Sequence, residues 1–222
     1  MTIEVVAFDV YGTLAQWPPD RVQPFEIQQL LARYDISISY QAFEAARQAV
    51  FFLDAQQREI HGYIDFLALV FDRMGARVTL DLIESIAAMY ETRNNMEVYP
   101  DALTAIETAK SSGKTCCAFT TLPKFMLGRA AEVLLPSLNH YFDLSAVGLV
   151  KGDRRYYERI GEKLSTEAQA ILAVGDDPIC DCRIPSGVGW RVVLLDRLGE
   201  HGDLDAGQKG TISSLSALTD YY

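Results

Sequence analysis

Four places in the chain combine residue types that do chemistry with apolar runs able to hold them still. The first is Asp9-Val10-Tyr11-Gly12-Thr13, directly after the β-branched run Ile3 to Phe8. A carboxylate at the end of a buried strand is a nucleophile that needs no base, and water can cleave the adduct it forms. Gly12 lets the loop turn away tightly, while the Thr13 hydroxyl and nearby backbone N–H groups could hold an anion or orient Asp9. The plainer alternative is an Asx-type turn closing a strand. The second place is Thr120-Thr121, after Cys116 to Phe119, where the Thr120 hydroxyl could donate to a phosphoryl or carboxylate oxygen or cap the next helix. The third is Lys151, after the run Ala146 to Val150, whose ammonium could neutralise a nucleophile and the charge on a transferred group, or lie solvated.

The fourth place is Gly175-Asp176-Asp177 with Asp181, three carboxylates around the start of a predicted helix that has Pro178 at its first position. Helix capping accounts for one or two acids there, and Asp177 and Asp181 could serve only as caps and loop supports. Three acids joined by Asp9 in one crevice would repel one another unless a cation is bound, and Mg²⁺ is the hard, oxygen-seeking ion that suits them. Away from these loops, Arg47 falls on an apolar helical stripe with Phe43, Ala46 and Val50. An arginine there seeks an anion, either a substrate group or a partner such as Glu44 or Asp54. Phe51, Phe52, Tyr63 and Phe66 could line a substrate entrance or pack as core. His61, His140 and His201 are scattered and form no acid–base pair or zinc triad in the sequence.

These residues need elements to bring them together. Ile3 to Phe8 reads as a buried strand. Helical stripes then recur at Ile27, Leu30, Leu31 and Tyr34, at Phe66, Leu67, Val70, Phe71 and Met74, and at Leu82, Ile83, Ile86, Met89 and Tyr90. With the stretch from Tyr40 to Gln57 they predict four helices and no strand. From Tyr99-Pro100-Asp101 onward, strand and helix alternate, with helices near 101–112, 124–134, 154–164, 178–186 and 213–219 and strands near 115–120, 143–147, 170–174 and 191–195. Repeated βα units predict an α/β fold, a doubly wound parallel sheet with helices on both faces. Residues 1–16 and 97–222 form its core, and residues 17–96 an inserted four-helix cap. Gly199 to Gly210 reads as a surface loop.

Length and charge narrow the reading. At 222 residues the chain suits one α/β domain carrying an insert. Twenty Lys and Arg against 30 Asp and Glu give a net charge of −10, which argues against nucleic-acid or anionic-membrane partners. No apolar run reaches the length of a membrane span, and the N-terminus lacks a basic leader, so a cytoplasmic protein is expected, monomeric or homodimeric. Cys116-Cys117 and Cys180-Asp181-Cys182 match no zinc spacing and read as reduced thiols.

The four motifs, in this order and spacing, resemble those of the haloacid dehalogenase (HAD) hydrolase superfamily, and the helical insert is similar to that superfamily's first class of cap, with a Rossmann-like core. The resemblance covers essentially the whole chain. It implies an aspartyl nucleophile at Asp9 and a covalent intermediate, with Tyr11, Thr13, Thr120 and Lys151 in the catalytic group and Thr121 near the substrate. It also implies Mg²⁺ held by Asp9, the backbone carbonyl of Tyr11 and Asp176, with Asp177 or Asp181 beside them. Phosphate-ester hydrolases of the superfamily carry a second Asp where this chain has Tyr11, whose phenol is a poor proton shuttle at neutral pH. Tyr at that position, with Arg47 and Tyr157, resembles instead the metal-free 2-haloacid dehalogenases. The acidic fourth motif has the spacing of the metal-dependent members, and an acid cluster without a cation costs several kcal/mol, about the cost of burying an unpaired ion. The leading expectation is therefore a Mg²⁺-dependent phosphatase acting on a small phosphorylated metabolite. A metal-free 2-haloacid dehalogenase is the alternative, and a catalytically impaired binding protein of the same fold the third.

Overall fold

Val6 and Phe8 point to one side of the first strand and Val5 and Ala7 to the other, and both sides are packed with apolar side chains. A computed structural model describes residues 2–200 and 210–222 and places the strands as β1 (Val5–Phe8), β2 (Ala15–Gln16), β3 (Glu97–Val98), β4 (Thr115–Phe119), β5 (His140–Phe142), β6 (Ile171–Gly175), β7 (Arg191–Leu195) and β8 (Thr211–Ile212). The helices are α1 (Pro24–Ala32), α2 (Tyr40–Phe52), α3 (Tyr63–Arg73), α4 (Leu80–Arg93), α5 (Ala102–Ser111), α6 (Ala131–Ser137), α7 (Leu144–Val147), α8 (Arg154–Leu164) and α9 (Ile184–Gly187). Six strands form one parallel sheet in the order β5-β4-β1-β6-β7-β8.

The alternation in β1 repeats in its neighbours. Cys116, Ala118, Leu172, Val174, Val193 and Leu195 share a cluster with Val6 and Phe8, whereas Cys117, Phe119, Ile171, Ala173, Val192 and Leu194 share one with Val5 and Ala7. Burial on both faces is what continuous apolar runs require of a parallel sheet. On the second face α8 contributes Tyr156, Tyr157 and Ile160. On the first, α5 contributes Ala102, Ala105, Ile106 and Ala109, and the cluster continues through Leu14 and Ala15 to Ile27, Phe43, Phe66 and Ile86 of α1 to α4. These four helices lie between β2 and β3, which pair antiparallel.

Several elements differ from the sequence expectation. The strand expected near 143–147 lies earlier, at His140–Phe142, and Leu144–Val147 is the short helix α7. Asp143 explains the helix, because its side chain accepts the Ala146 N–H and caps the turn. Lys151 consequently follows a loop after α7 rather than a strand. The helix expected over 124–134 is a 3₁₀ segment, Lys124–Ala130, broken at Gly128 and followed by α6. The one expected over 178–186 opens as a π-helix, Pro178–Arg183, before α9. The stretch from 40 to 57 is α2 and a 3₁₀ turn, Asp54–Gln56, and the C-terminal helix is 3₁₀, Leu215–Tyr221. β2, β3 and β8 are too short to mark a run of their own. The surface loop expected at Gly199 to Gly210, with His201, falls mostly outside the described residues. Among the described residues no helix is long and apolar enough to cross a membrane.

Candidate active site

The sheet order sets β1 between β4 and β6, with Phe8 level with Ala118 and Val174. Asp9, Thr120 and Asp176 therefore leave three adjacent strands at one edge, the C-terminal edge where a parallel sheet forms its ligand crevice. Lys151 Nζ donates to Asp9 Oδ1 at 2.6 Å and pairs with Asp181 Oδ1 at 2.5 Å. The ammonium lies 4.7 Å from the Phe119 ring centroid. Asp181 also accepts the Asp177 N–H at 3.0 Å, and Thr13 Oγ1 donates to Asp176 Oδ1 at 3.5 Å. Two glycines make room for these acids: a Cβ on Gly12, whose φ is +84°, would overlap the Asp176 carboxylate, and one on Gly175 would overlap Asp181.

Carboxylate oxygens of Asp9, Asp176 and Asp181 lie within 4.8 Å of one another. Three acids share one ammonium, and the surplus negative charge shows in their proton affinities. Burial pushes the Asp9 carboxyl above its ordinary range, with Lys151 opposing and Asp176 adding to the shift. Burial and the Asp181 charge do the same to Asp176, and burial raises Asp181 to about 7. Burial alone would favour a neutral Lys151, but Asp181 and Asp9 outweigh it and hold its pKa well above the usual value. A site that binds protons this readily also favours a cation, and its all-oxygen donors fit a hard divalent ion such as Mg²⁺.

Above this floor opens a cavity of about 680 Å³, reached by Asp9, Tyr11, Thr120, Thr121, Lys151, Asp176, Asp177 and Asp181 and, from the helical side, by Arg47. Tyr11 is 49% exposed at its wall. Thr120 is fixed on three sides: its hydroxyl accepts the Leu122 N–H at 3.2 Å, its N–H donates to Phe142, and its carbonyl accepts the Tyr156 hydroxyl at 3.0 Å. Asp177 caps the π-helix, accepting from the N–H groups of Ile179 and Cys180 at 2.7 and 2.9 Å. Arg47 reaches the cavity already paired: its Nε donates to Glu44 at 2.9 Å, and that hydrogen bond holds Glu44 below its ordinary pKa. Tyr157 does not line the cavity. It is buried against Phe119 and Trp190, and its hydroxyl donates to the Cys180 carbonyl. Burial pushes the Cys116 and Cys180 thiols up to about 11, and at Cys180 the neighbouring Asp177 adds to the shift.

Two supporting residues carry no signal in the sequence. Tyr156 bridges the Thr120 and Phe142 carbonyls. Arg197, beyond β7, forms a bidentate pair with Asp101 at 2.8 and 3.0 Å, donates to the Thr13 carbonyl at 2.9 Å, and lies 4.0 Å from the Tyr99 ring centroid. No motif flags them, because their partners, backbone carbonyls and the Asp101 carboxylate, lie far from them in the chain.

The sequence matches the haloacid dehalogenase-like hydrolase family over residues 3–184, and the chain belongs to that family. Among solved structures it is similar to a 2-haloacid dehalogenase from Pseudomonas syringae pv. Tomato DC3000, at 19% identity and a TM-score of 0.73, covering 99% of this chain and 97% of that one. It is also similar to a HAD phosphatase from Thermococcus onnurineus, at 20% identity and a TM-score of 0.66, covering 98% and 97%. A third is L-2-haloacid dehalogenase from Xanthobacter autotrophicus with chloropropionic acid covalently bound, at 16% identity and a TM-score of 0.60, covering 99% and 98%. At these identities the likeness is one of fold. No curated protein matches the chain at a significant level.

Proposed function

We propose that this hydrolase is a Mg²⁺-dependent phosphatase of anionic phosphate compounds, working through an aspartyl intermediate at Asp9. The observation that carries the reading is the surplus of carboxylate at the floor, where Asp9, Asp176 and Asp181 meet a single ammonium. Asp9, Asp176 and the backbone carbonyl of Tyr11 would hold the cation, with Asp181 anchoring Lys151 behind them and Asp177 holding the helix start. When bound, Mg²⁺ would supply positive charge that lets an anionic carboxylate approach an anionic phosphoryl group. Asp9 attacks phosphorus, the bond to the leaving oxygen breaks, and water cleaves the resulting acyl phosphate to release phosphate and restore the carboxylate. Lys151 orients Asp9 and offsets charge on the transferred group, and Thr120 and Thr121 stand where they could donate to its oxygens. Residues 17–96 would act as the cap that selects the substrate.

The test is phosphate release from acetyl phosphate and p-nitrophenyl phosphate in Mg²⁺ and in EDTA. Metal-dependent release, lost in Asp9→Asn, is expected. Metal-independent chloride release from 2-chloropropionate without phosphate release would establish instead the second reading, a metal-free 2-haloacid dehalogenase. That reading draws on Arg47 and Asp9 sharing one cavity, and on the several dehalogenases among the similar structures. It is weakened by the engagement of Arg47 with Glu44 and by the burial of Tyr157.

A further inference from the structure

We propose that the substrate is an aryl phosphate, a monoester whose leaving oxygen is carried by an aromatic ring seated under the helices. The inference rests on the phosphatase reading of the same site and names its substrate class.

A phosphoryl group occupies only the floor of a cavity of about 680 Å³, a volume in the range that encloses a ligand of many heavy atoms. The space above is walled in part by the rings of Tyr11, Trp17, Phe51, Tyr63, Phe66 and Tyr90, set among polar side chains of the helices. These rings are already arranged. Tyr63 stacks on Tyr90 with centroids 5.0 Å apart and planes 13° apart, and Tyr11 faces Trp17 at 6.5 Å. Tyr11 sits two residues from the nucleophile with nearly half its surface open, and it lines the same cavity as Asp9. Aromatic walls reward a flat, polarisable guest over a flexible polar one.

Alkoxide leaving groups need an acid in the transition state, and the acids at this cavity are otherwise engaged. Asp177 accepts two backbone N–H groups, Glu44 is held by Arg47, and Asp181 is paired with Lys151. Asp9 is the nucleophile, and Asp176 would be a ligand of the cation. An aryloxide departs as a stable anion without one. Asp9 Oδ forms a bond to phosphorus as the bond from phosphorus to the ring oxygen breaks, and the aryloxide keeps that electron pair and takes its proton from solvent. Water then displaces Asp9 from phosphorus, giving inorganic phosphate and the free carboxylate.

Tyr63 carries an unspent donor: it is 6% exposed, and while the Asn94 side chain interacts with its hydroxyl oxygen, its O–H donates to nothing among the described residues. A buried hydroxyl normally finds an acceptor. A ring substituent such as a carbonyl would supply it.

The test uses the full chain in Mg²⁺ with phenyl, 4-acetylphenyl and cyclohexyl phosphates, plus acetyl phosphate as a ringless control. We expect kcat/KM for phenyl phosphate to exceed that for cyclohexyl phosphate by about a hundredfold, the usual worth of a general acid. Binding separates the pocket from intrinsic reactivity: phenylphosphonate should inhibit acetyl phosphate hydrolysis at about a tenth of the concentration needed of methylphosphonate, and should quench Trp17 fluorescence in wild type but not in Trp17→Phe. Tyr63→Phe should lower kcat/KM for 4-acetylphenyl phosphate about fivefold more than for phenyl phosphate, the worth of one hydrogen bond. Hydrolysis of acetyl phosphate with equal inhibition by the two phosphonates would overturn the aryl assignment and leave the phosphatase reading intact. No phosphate release from any compound would overturn the parent reading, and this one with it.

Discussion

Lys151 holds two buried carboxylates that would otherwise face each other, while Asp176 has no ammonium of its own. Replacing Lys151 with Met should cost about 3 kcal/mol of stability, as when one member of a buried ion pair is lost, and about a hundredfold or more in turnover. Thermal melts and phosphate-release assays read the two effects separately. The acids predict a pH dependence as well. Asp181 rises from 3.8 to about 7 through burial, and Asp9 and Asp176 move the same way. A carboxyl with a higher pKa folded than unfolded binds its proton more tightly when folded, so its contribution is present at low pH and is lost as pH rises through the folded value. Acids lowered by arginine hydrogen bonds, such as Glu44 and Asp54, lose their contribution only at more acid pH, below the ordinary carboxylate values. Between about pH 5 and pH 7 the cluster therefore dominates. In EDTA the melting temperature is expected to fall across that window, and Mg²⁺ should flatten the slope by stabilising the ionised carboxylates. A melting temperature that climbs across the window in EDTA would contradict the assignment.

At the scale of elements, the legible part of the fold was the part with strong local signal. β1, β4, β6 and β7 are apolar runs, and three of them end beside a site residue, so the sheet and most of the floor could be read directly. β5 could not: three residues, His140–Phe142, are too few to show a strand period, and the apolar Leu144–Val147 after them is drawn into a helix by the Asp143 cap. Its place is fixed by parallel pairing of His140–Phe142 with Cys117–Phe119, a long-range partner invisible to a local pattern. The same limit hid the hydrogen bond from Arg47 to Glu44 as the winner among the partners open to that arginine, and it hid Arg197. Arg197 ties the chain after β7 to Asp101 at the start of α5 and to the Thr13 carbonyl in the loop after β1, and Asp101 in turn accepts from Ser214 Oγ and the Leu215 N–H. Arg197→Met should remove about 2 kcal/mol, the loss of charge-assisted bonds, and lower the melting temperature by about 5 °C. Because the bond to Thr13 steadies the loop that carries Asp9, kcat should fall more than KM rises. An unchanged kcat with a lowered melting temperature would reduce Arg197 to a purely structural brace.

At the scale of the whole molecule, one question is whether the helices between β2 and β3 and the parallel sheet melt as one body. A chain of 222 residues with an inserted helical unit is long enough to unfold in two steps. The packing argues otherwise, since one apolar cluster runs without a break from Val6 and Phe8 through Leu14 and Ala15 to Phe43, Phe66 and Ile86. Leu14 stands at the crossing, fully buried, with its carbonyl accepting the Tyr99 N–H at 2.9 Å, so it joins the outgoing and returning segments of the chain. Calorimetry should therefore show one transition whose van't Hoff and calorimetric enthalpies agree. Leu14→Ala sharpens the test. Truncating a buried leucine costs about 3 kcal/mol, enough to move a transition of this size by about 8 °C. If the cluster couples the two layers, that single transition shifts as a whole and stays single; if it does not, the substitution splits the trace and moves only one of its parts.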